Sequence, residues 1–161
     1  MEFFQYLAPT KVIFGRGTEA RTGALCKEAG ATKVLIHYGG HSAKKSGLID
    51  RICASLQAEG ISYTELGGVV PNPRLNKVYE GIELGRKEKI DFILAVGGGS
   101  VIDSAKAIGY GLTNEGDVWD YYTGKAPQAC MPIGAVLTIA AAGSEMSNAS
   151  IITNENGWLK R

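Results

Sequence analysis

Residues 92–100, Phe-Ile-Leu-Ala-Val-Gly-Gly-Gly-Ser, constrain the fold more than any other stretch of this chain. Five consecutive apolar residues without polar alternation describe a strand covered on both faces, the situation of a central strand in a parallel sheet. The glycine run that ends it bends the chain tightly. Beyond the bend, Val101, Ile102, Ala105 and Ile108 recur at helical spacing and predict a helix over Ser100 to Gly109. A buried strand that runs directly into a helix is the core of a βαβ unit.

The same rhythm repeats along the chain. Lys11 to Phe14 reads as a strand, followed by a helix from about Thr18 to Ala29 with Leu25 and Ala29 on its inner face and Gly30 as its stop. Val34 to His37 is a second strand; Leu48, Ile49, Ile52 and Leu56 mark a helical stripe that Gly60 closes. Ile61 to Leu66 alternates as a strand, Pro71-Asn72-Pro73 predicts an extended connection, and Leu75 to Lys89 is helical with Val78, Ile82 and Gly85 inward. A loop over Gly116 to Gly124 leads to a buried strand over Ile133 to Thr138. Ser147 to Thr153 and Trp158-Leu159 form the arms of a hairpin around Asn154 to Gly157. The fold class is therefore α/β: an open, mainly parallel twisted sheet with helices on both faces, plus a small β-hairpin near the C-terminus. Right-handed crossovers put its ligands at the carboxyl ends of the strands.

Composition narrows the function. With 161 residues and 45% hydrophobic content, the chain is one globular domain. Lys and Arg total 17 against 16 for Asp and Glu, so no field favours nucleic acid or anionic membranes. Cys26, Cys53 and Cys130 are an odd, widely spaced set, which predicts reduced thiols and a cytoplasmic location. Met1-Glu2-Phe3-Phe4-Gln5 lacks the basic start and apolar run of a signal peptide, and no uncharged stretch reaches membrane-spanning length.

The bend at Gly97-Gly98-Gly99-Ser100 carries two readings. Bare backbone at a helix start can approach an anion, and the unpaired amides there suit a pyrophosphate. Alternatively, Ser100 with Asp103 three residues on is a capping box, and the glycines only turn the chain. Gly15-Arg16-Gly17-Thr18-Glu19-Ala20 matches G-x-G-x-x-A, but His37-Tyr38-Gly39-Gly40 stands where an acidic ribose contact belongs, which favours a turn and a cap. Tyr38-Gly39-Gly40-His41-Ser42 has no carboxylate, and Lys44 and Lys45 follow. A 2′-phosphate and a solvated polar turn both fit that segment. Ala140 to Gly143, leading to Ser144 and Glu145, reads as a helix start. His37 and His41 read as structural or solvent-facing, and hydrolase motifs are absent from the sequence.

Taken in series, Pro9-Thr10-Lys11-Val12-Ile13-Phe14-Gly15, Tyr38-Gly39-Gly40, Ser46-Gly47-Leu48, Pro71-Asn72-Pro73, Leu94 to Asp103 and Leu137-Thr138 through Gly143-Ser144-Glu145 resemble the iron-containing (group III) alcohol dehydrogenases. The likeness is strongest to their NADPH-dependent aldehyde reductase and butanol dehydrogenase branch. It covers the whole chain but well under half of a typical family member, its N-terminal part.

The resemblance implies a Rossmann-like dinucleotide-binding domain over residues 1–161 that serves interconversion of a primary alcohol and its aldehyde by metal-assisted hydride transfer. It implies NADP as cofactor, with NAD possible, because Gly40 stands where NAD-using relatives commonly carry an acid. Gly40 and Ser42 border the 2′-position, Asn72 lines the cleft, Gly98, Gly99 and Ser100 cradle the pyrophosphate, and Asp103 lies close by. Thr138, Ser147 and Lys160 reach the adenine or ribose side. The family's Fe or Zn is held by an Asp and three His of a helical domain downstream. This chain, with two histidines, is expected to bind no metal and to be inactive alone. The alternative is a non-catalytic dinucleotide-binding module or subunit fragment. The partners implied are a small alcohol or aldehyde in the complete enzyme and a second copy in a homodimer, with neither nucleic acid nor membrane.

Overall fold

The structure is a computed structural model that describes Phe3, Gln5 and residues 7–161; Met1, Glu2 and Phe4, read above as lacking a leader's start, fall outside the described residues. Strands β1 (Lys33–Tyr38), β2 (Ser62–Leu66), β3 (Phe92–Gly97) and β4 (Ile133–Leu137) form one parallel sheet in the order β2-β1-β3-β4. Helices α1 (Thr22–Glu28), α2 (Ser42–Lys45), α3 (Leu48–Ala58), α4 (Leu75–Glu88) and α5 (Gly99–Thr113) connect and cover it.

Every residue of β3 is buried, as its unbroken apolar run requires. Alternate side chains serve two separate cores. Ile93 and Ala95 pack with Val78 and Ile82 of α4 and Val101, Ile102 and Ile108 of α5. Phe92, Leu94 and Val96 pack with Cys26 of α1 and Ile49, Ile52 and Leu56 of α3. Helices therefore lie on both faces, as the sequence pattern predicts. At the other end of the strands the Asp91 carboxylate accepts the amides of Thr32 and Lys33 at 2.9–3.1 Å, which ties the start of β1 to β3.

Several elements differ from expectation, each for a local reason. Lys11 to Phe14 forms no strand: it finds no ladder partner among the described residues, and Phe14 is 98% exposed. β propensity is realised only where a neighbouring strand accepts it. The helix expected over Thr18 to Ala29 is a 3₁₀ turn, Thr18–Arg21, followed by α1. Its inner face is Thr22, Gly23 and Cys26 rather than Leu25 and Ala29. Polar contacts set that orientation: the Gly23 amide donates to Ser55 Oγ at 2.9 Å, and a Cβ on Gly23 would lie 2.0 Å from the Ser55 carbonyl oxygen.

Helix α5 runs four residues past Gly109 because that glycine and Gly111 are packing positions: added Cβ atoms would meet Cys130 Sγ at 2.8 Å and Ile82 Cδ1 at 2.2 Å. Asn72 is not extended but left-handed at φ 56°, a region Asn tolerates and one that turns the chain between two prolines. The hairpin is shorter than expected, with β5 (Thr153–Asn154) antiparallel to β6 (Leu159–Lys160), and residues 147–152 are not strand. Residues 118–122, expected as loop, form a 3₁₀ turn in which the Trp119 amide donates to the Asp117 carboxylate.

Candidate functional site

From β1 the chain steps to β2 on one side, then crosses back over β1 to β3 on the other. The strand order thus reverses between β1 and β3, and a crevice opens there at the carboxyl ends, where open α/β sheets bind ligands. Gly39-Gly40 leaves β1 and Gly97-Gly98-Gly99 leaves β3 on its two sides.

The three glycines of the bend have different reasons. A Cβ on Gly97 would stand 2.5 Å from Val101 Cγ2, so Gly97 lets α5 sit tightly on its own strand. At Gly98 a Cβ would meet Ile139 Cγ2 at 2.7 Å. At Gly99 it would meet only Ser144 Cβ at 3.9 Å, an ordinary contact, so packing does not demand this third glycine. Gly98 is the N-cap of α5, and the amides of Val101 and Ile102 bond to its carbonyl at 3.0 and 3.2 Å. The amides of Gly99 and Ser100 meet no acceptor among the described residues, no side chain caps the helix, and its first turn holds no acid. A 15-residue helix thus presents two unpaired donors and the positive end of its dipole to the crevice. Of the two sequence readings of this bend, the capping box is not formed.

Asp103 turns instead to a partner 41 residues away. Its Oδ1 accepts the Ser144 hydroxyl at 2.6 Å, and its carbonyl accepts Ser150 Oγ at 2.8 Å. Lys106, one turn along α5 and 7% exposed, donates to the Ser144 carbonyl, Ser144 Oγ and the Ala149 carbonyl at 2.7, 2.9 and 2.7 Å. Burial lowers the pKa of Lys106 and the Asp103 charge works against that shift. Together these bonds fasten the segment after β4 to the start of α5. Sequence reasoning passed over Lys106, although a lysine between Ala105 and Ala107 on an apolar helix was the available signal.

Among the other expected site residues, Thr138 extends β4 and donates its amide to the Gly97 carbonyl at 3.1 Å, beside the bend. Lys160 donates to Asn72 Oδ1 at 2.7 Å, joining the hairpin to the loop after β2. Arg74 lies 4.7 Å above the Trp158 ring and reinforces the same junction. Gly40 is exposed, with open space where a Cβ would point, and Ser42 is exposed at the start of α2. The Ser147 hydroxyl accepts the Ala149 amide at 2.9 Å within its own turn and touches none of the others. Lys44, expected to add free positive charge, pairs instead with Glu65 at 3.0 Å.

His37 is fully buried beneath the crevice. Its Nδ1 lies 2.9 Å from the Leu66 carbonyl, which can only accept, so Nδ1 carries the proton and Nε2 accepts the Ser104 hydroxyl at 2.8 Å. Burial pushes its pKa down to about 4. Unfolded His37 takes up a proton near pH 6.5 while the folded ring stays neutral, so acid favours the unfolded chain. Its contribution is intact above pH 6.5 and falls, on the order of 3 kcal/mol in all, as pH drops from there towards 4. An NMR titration should show an imidazole that stays neutral through pH 5.5; a midpoint near 6.5 in the folded protein rules this out.

Among the described residues no three His, Cys, Asp or Glu side chains come together as ligands for a metal ion, and no helix is long and apolar enough to cross a membrane. His37 has both ring nitrogens engaged. Nothing among the described residues fits a metal, and no step through one follows from them.

Residues 9–161 match the family profile described as iron-containing alcohol dehydrogenase. The chain is 49% identical to the probable NADH-dependent butanol dehydrogenase 1 of Bacillus subtilis over 98% of its own length and 42% of the relative's. It is 35% identical to the NADPH-dependent aldehyde reductase of Escherichia coli, over 96% and 40% of the two chains. The crystal structure of NADH-dependent butanol dehydrogenase A from Thermotoga maritima superimposes with a TM-score of 0.96 at 48% identity, over 99% of this chain and 40% of that one. The chain thus spans about two fifths of the length of the curated relatives it matches.

Proposed function

Since the chain belongs to the iron-containing alcohol dehydrogenase family, we propose that its 161 residues are the dinucleotide-binding domain of an oxidoreductase that interconverts a primary alcohol and its aldehyde with NAD(P)H. One observation carries the reading: the uncapped start of α5, with the Gly99 and Ser100 amides free, opens at the point where the strand order reverses. Gly98, Gly99 and Ser100 hold the pyrophosphate there, with Asp103 behind them. Asn72 and Lys160 form one wall through their hydrogen bond. Thr138, Ser147 and Lys160 reach the adenine or ribose side, and Gly40 and Ser42 receive the 2′-position of the adenosine ribose. The groups at the strand ends are amides, hydroxyls and lysines, which bind and orient a dinucleotide. The chain by itself binds cofactor without turning over alcohol.

NADP is the preferred cofactor in this reading, with NAD accepted. The support is local: no carboxylate occurs from Gly39 to Ser42, and Gly40 leaves space for a phosphate. The relatives' names divide, the B. subtilis protein being called NADH-dependent and the E. coli protein NADPH-dependent. A cytoplasmic location accords with three free cysteines, and association into a homodimer with the exposure of Ile139, Trp158 and Leu159.

Titration of the purified chain with NADPH and NADH, followed by nicotinamide fluorescence, tests the proposal. Saturable binding of both is expected. Ser42→Ala should weaken NADPH about tenfold and leave NADH nearly unchanged, the effect of one hydrogen bond to a charged group. Silence with both cofactors overturns the dinucleotide reading, and equal losses on Ser42→Ala remove the 2′-phosphate from that residue.

A further inference from the structure

Resting on the dinucleotide reading above, we propose that Glu65 sets the balance between NADP and NAD by occupying Lys44, a cation two residues beyond Ser42. Tyr38 ends β1 and Glu65 lies one residue before the end of β2, on the same face of the sheet. The Tyr38 hydroxyl donates to Glu65 Oε2 at 2.9 Å, and Lys44 Nζ lies 3.0 Å from the same oxygen. The Lys44 ammonium also sits 5.3 Å from the centre of the Tyr38 ring. That ring is wedged against the loop after β2, for a Cβ on Gly67 would stand 2.5 Å from its Cε2. One carboxylate oxygen therefore gathers the Tyr38 hydroxyl and the Lys44 ammonium beside the end of β1.

The consequence is electrostatic. Ser42 and Gly40 stand two and four residues before Lys44 in the chain, so the lysine's four-carbon stem starts beside the proposed 2′-position. Its side chain is 56% exposed, and its charge is matched by Glu65. A ribose with a 2′-hydroxyl leaves the pair undisturbed. A ribose with a 2′-phosphate competes with Glu65 for the ammonium. Lys45, without an ion-pair partner among the described residues, is left as the uncompensated cation of this segment. Glu65 thus weakens NADPH relative to NADH without touching either, and the segment from Gly39 to Ser42, which holds no acid, is not the whole determinant of preference.

The test is a cycle of Glu65→Gln, Lys44→Gln and the double variant, with NADPH and NADH dissociation constants measured for each. Glu65→Gln keeps the hydrogen bond from Tyr38 and removes the charge. It should tighten NADPH about two- to fivefold, the range of a partly exposed ion pair, and leave NADH unmoved within error. Lys44→Gln should weaken NADPH and erase the gain in the double variant. Unchanged NADH affinity is the built-in check that each variant is folded. A gain that persists without Lys44, or equal shifts for both cofactors, overturns the role of the pair while the wild-type titration still upholds the dinucleotide reading. If the wild-type chain binds neither cofactor, both fall together.

Discussion

Gly99→Asp should leave the chain at least as stable as it is and strip it of its dinucleotide. The added Cβ finds room, since its nearest neighbour is Ser144 Cβ at 3.9 Å. Gly99 is absent from the glycines with positive φ and opens α5 at its first helical position. Replacing glycine at such a position restricts the unfolded chain and stabilises by about 0.4–1 kcal/mol. A carboxylate there also meets the positive end of the helix dipole, for about 0.3–1 kcal/mol more. The same carboxylate occupies the two free amides and faces an incoming diphosphate. Two like charges about 5 Å apart at an effective dielectric near 20 repel by roughly 3 kcal/mol, or about 100-fold in affinity. Thermal unfolding and cofactor titration on one sample read both effects, with Gly99→Ala as the uncharged control. A variant that binds NADPH within threefold of the parent would falsify the assignment of the diphosphate to this bend.

This opposition of stability and binding is what separates the third glycine from the other two. Gly97 and Gly98 are explained by the close approach of Val101 and Ile139, whatever the site binds. From sequence the three look alike. What distinguishes them is where Ile139 and Ser144 fall, some 40 residues on, and no local pattern contains that information.

The same division runs through the fold. The parallel sheet and the inner sides of α3, α4 and α5 were legible, because an apolar run or stripe marks a core face locally, but the run Ile133 to Thr138, expected as a buried strand, forms the edge strand β4 with no residue fully buried. Lys11 to Phe14 misled because β-branched composition describes willingness to pair, and pairing needs a second strand. Leu25 and Ala29 misled because hydrogen bonds between Gly23, Ser55 and Ala20, not apolar periodicity, orient α1. Ser100 and Asp103 have capping-box spacing, yet Asp103 is drawn away by Ser144 and the cap is left vacant. At the candidate site, the glycine bend and the acid-free segment Gly39 to Ser42 after β1 were readable from residues alone. Asn72 and Lys160 were singled out only through family resemblance, and neither their hydrogen bond across 88 positions nor the pairing of Lys44 with Glu65 was visible in the sequence.

Lys106→Met should cost more than any exposed lysine in the chain and act on the segment after β4 first. Methionine fills nearly the same volume, so the loss isolates the ammonium's three bonds, to the Ser144 carbonyl, Ser144 Oγ and the Ala149 carbonyl. Hydrogen bonds to a charged group contribute about 1.5–3 kcal/mol each, and unpaired buried carbonyls add their own desolvation penalty. Against this stands relief from burying the ammonium, which the lowered Lys106 pKa registers. The net expectation is a loss of about 2–4 kcal/mol, with the Asp103 carboxylate left facing Ser144 without its compensating charge. Because those bonds hold residues 144–150 against α5, hydrogen exchange should accelerate at Ser144 to Ser150 before the sheet is affected. Lys106→Arg keeps the charge but forces a planar fork into a site built around a compact ammonium, so it should restore only part of the loss. If Lys106→Met unfolds at the parent's denaturant midpoint with exchange unchanged over residues 144–150, the lysine is not the fastener, and the shape of the crevice wall beside Gly98 rests on Ile139 packing and on the Thr138 amide bonded to Gly97.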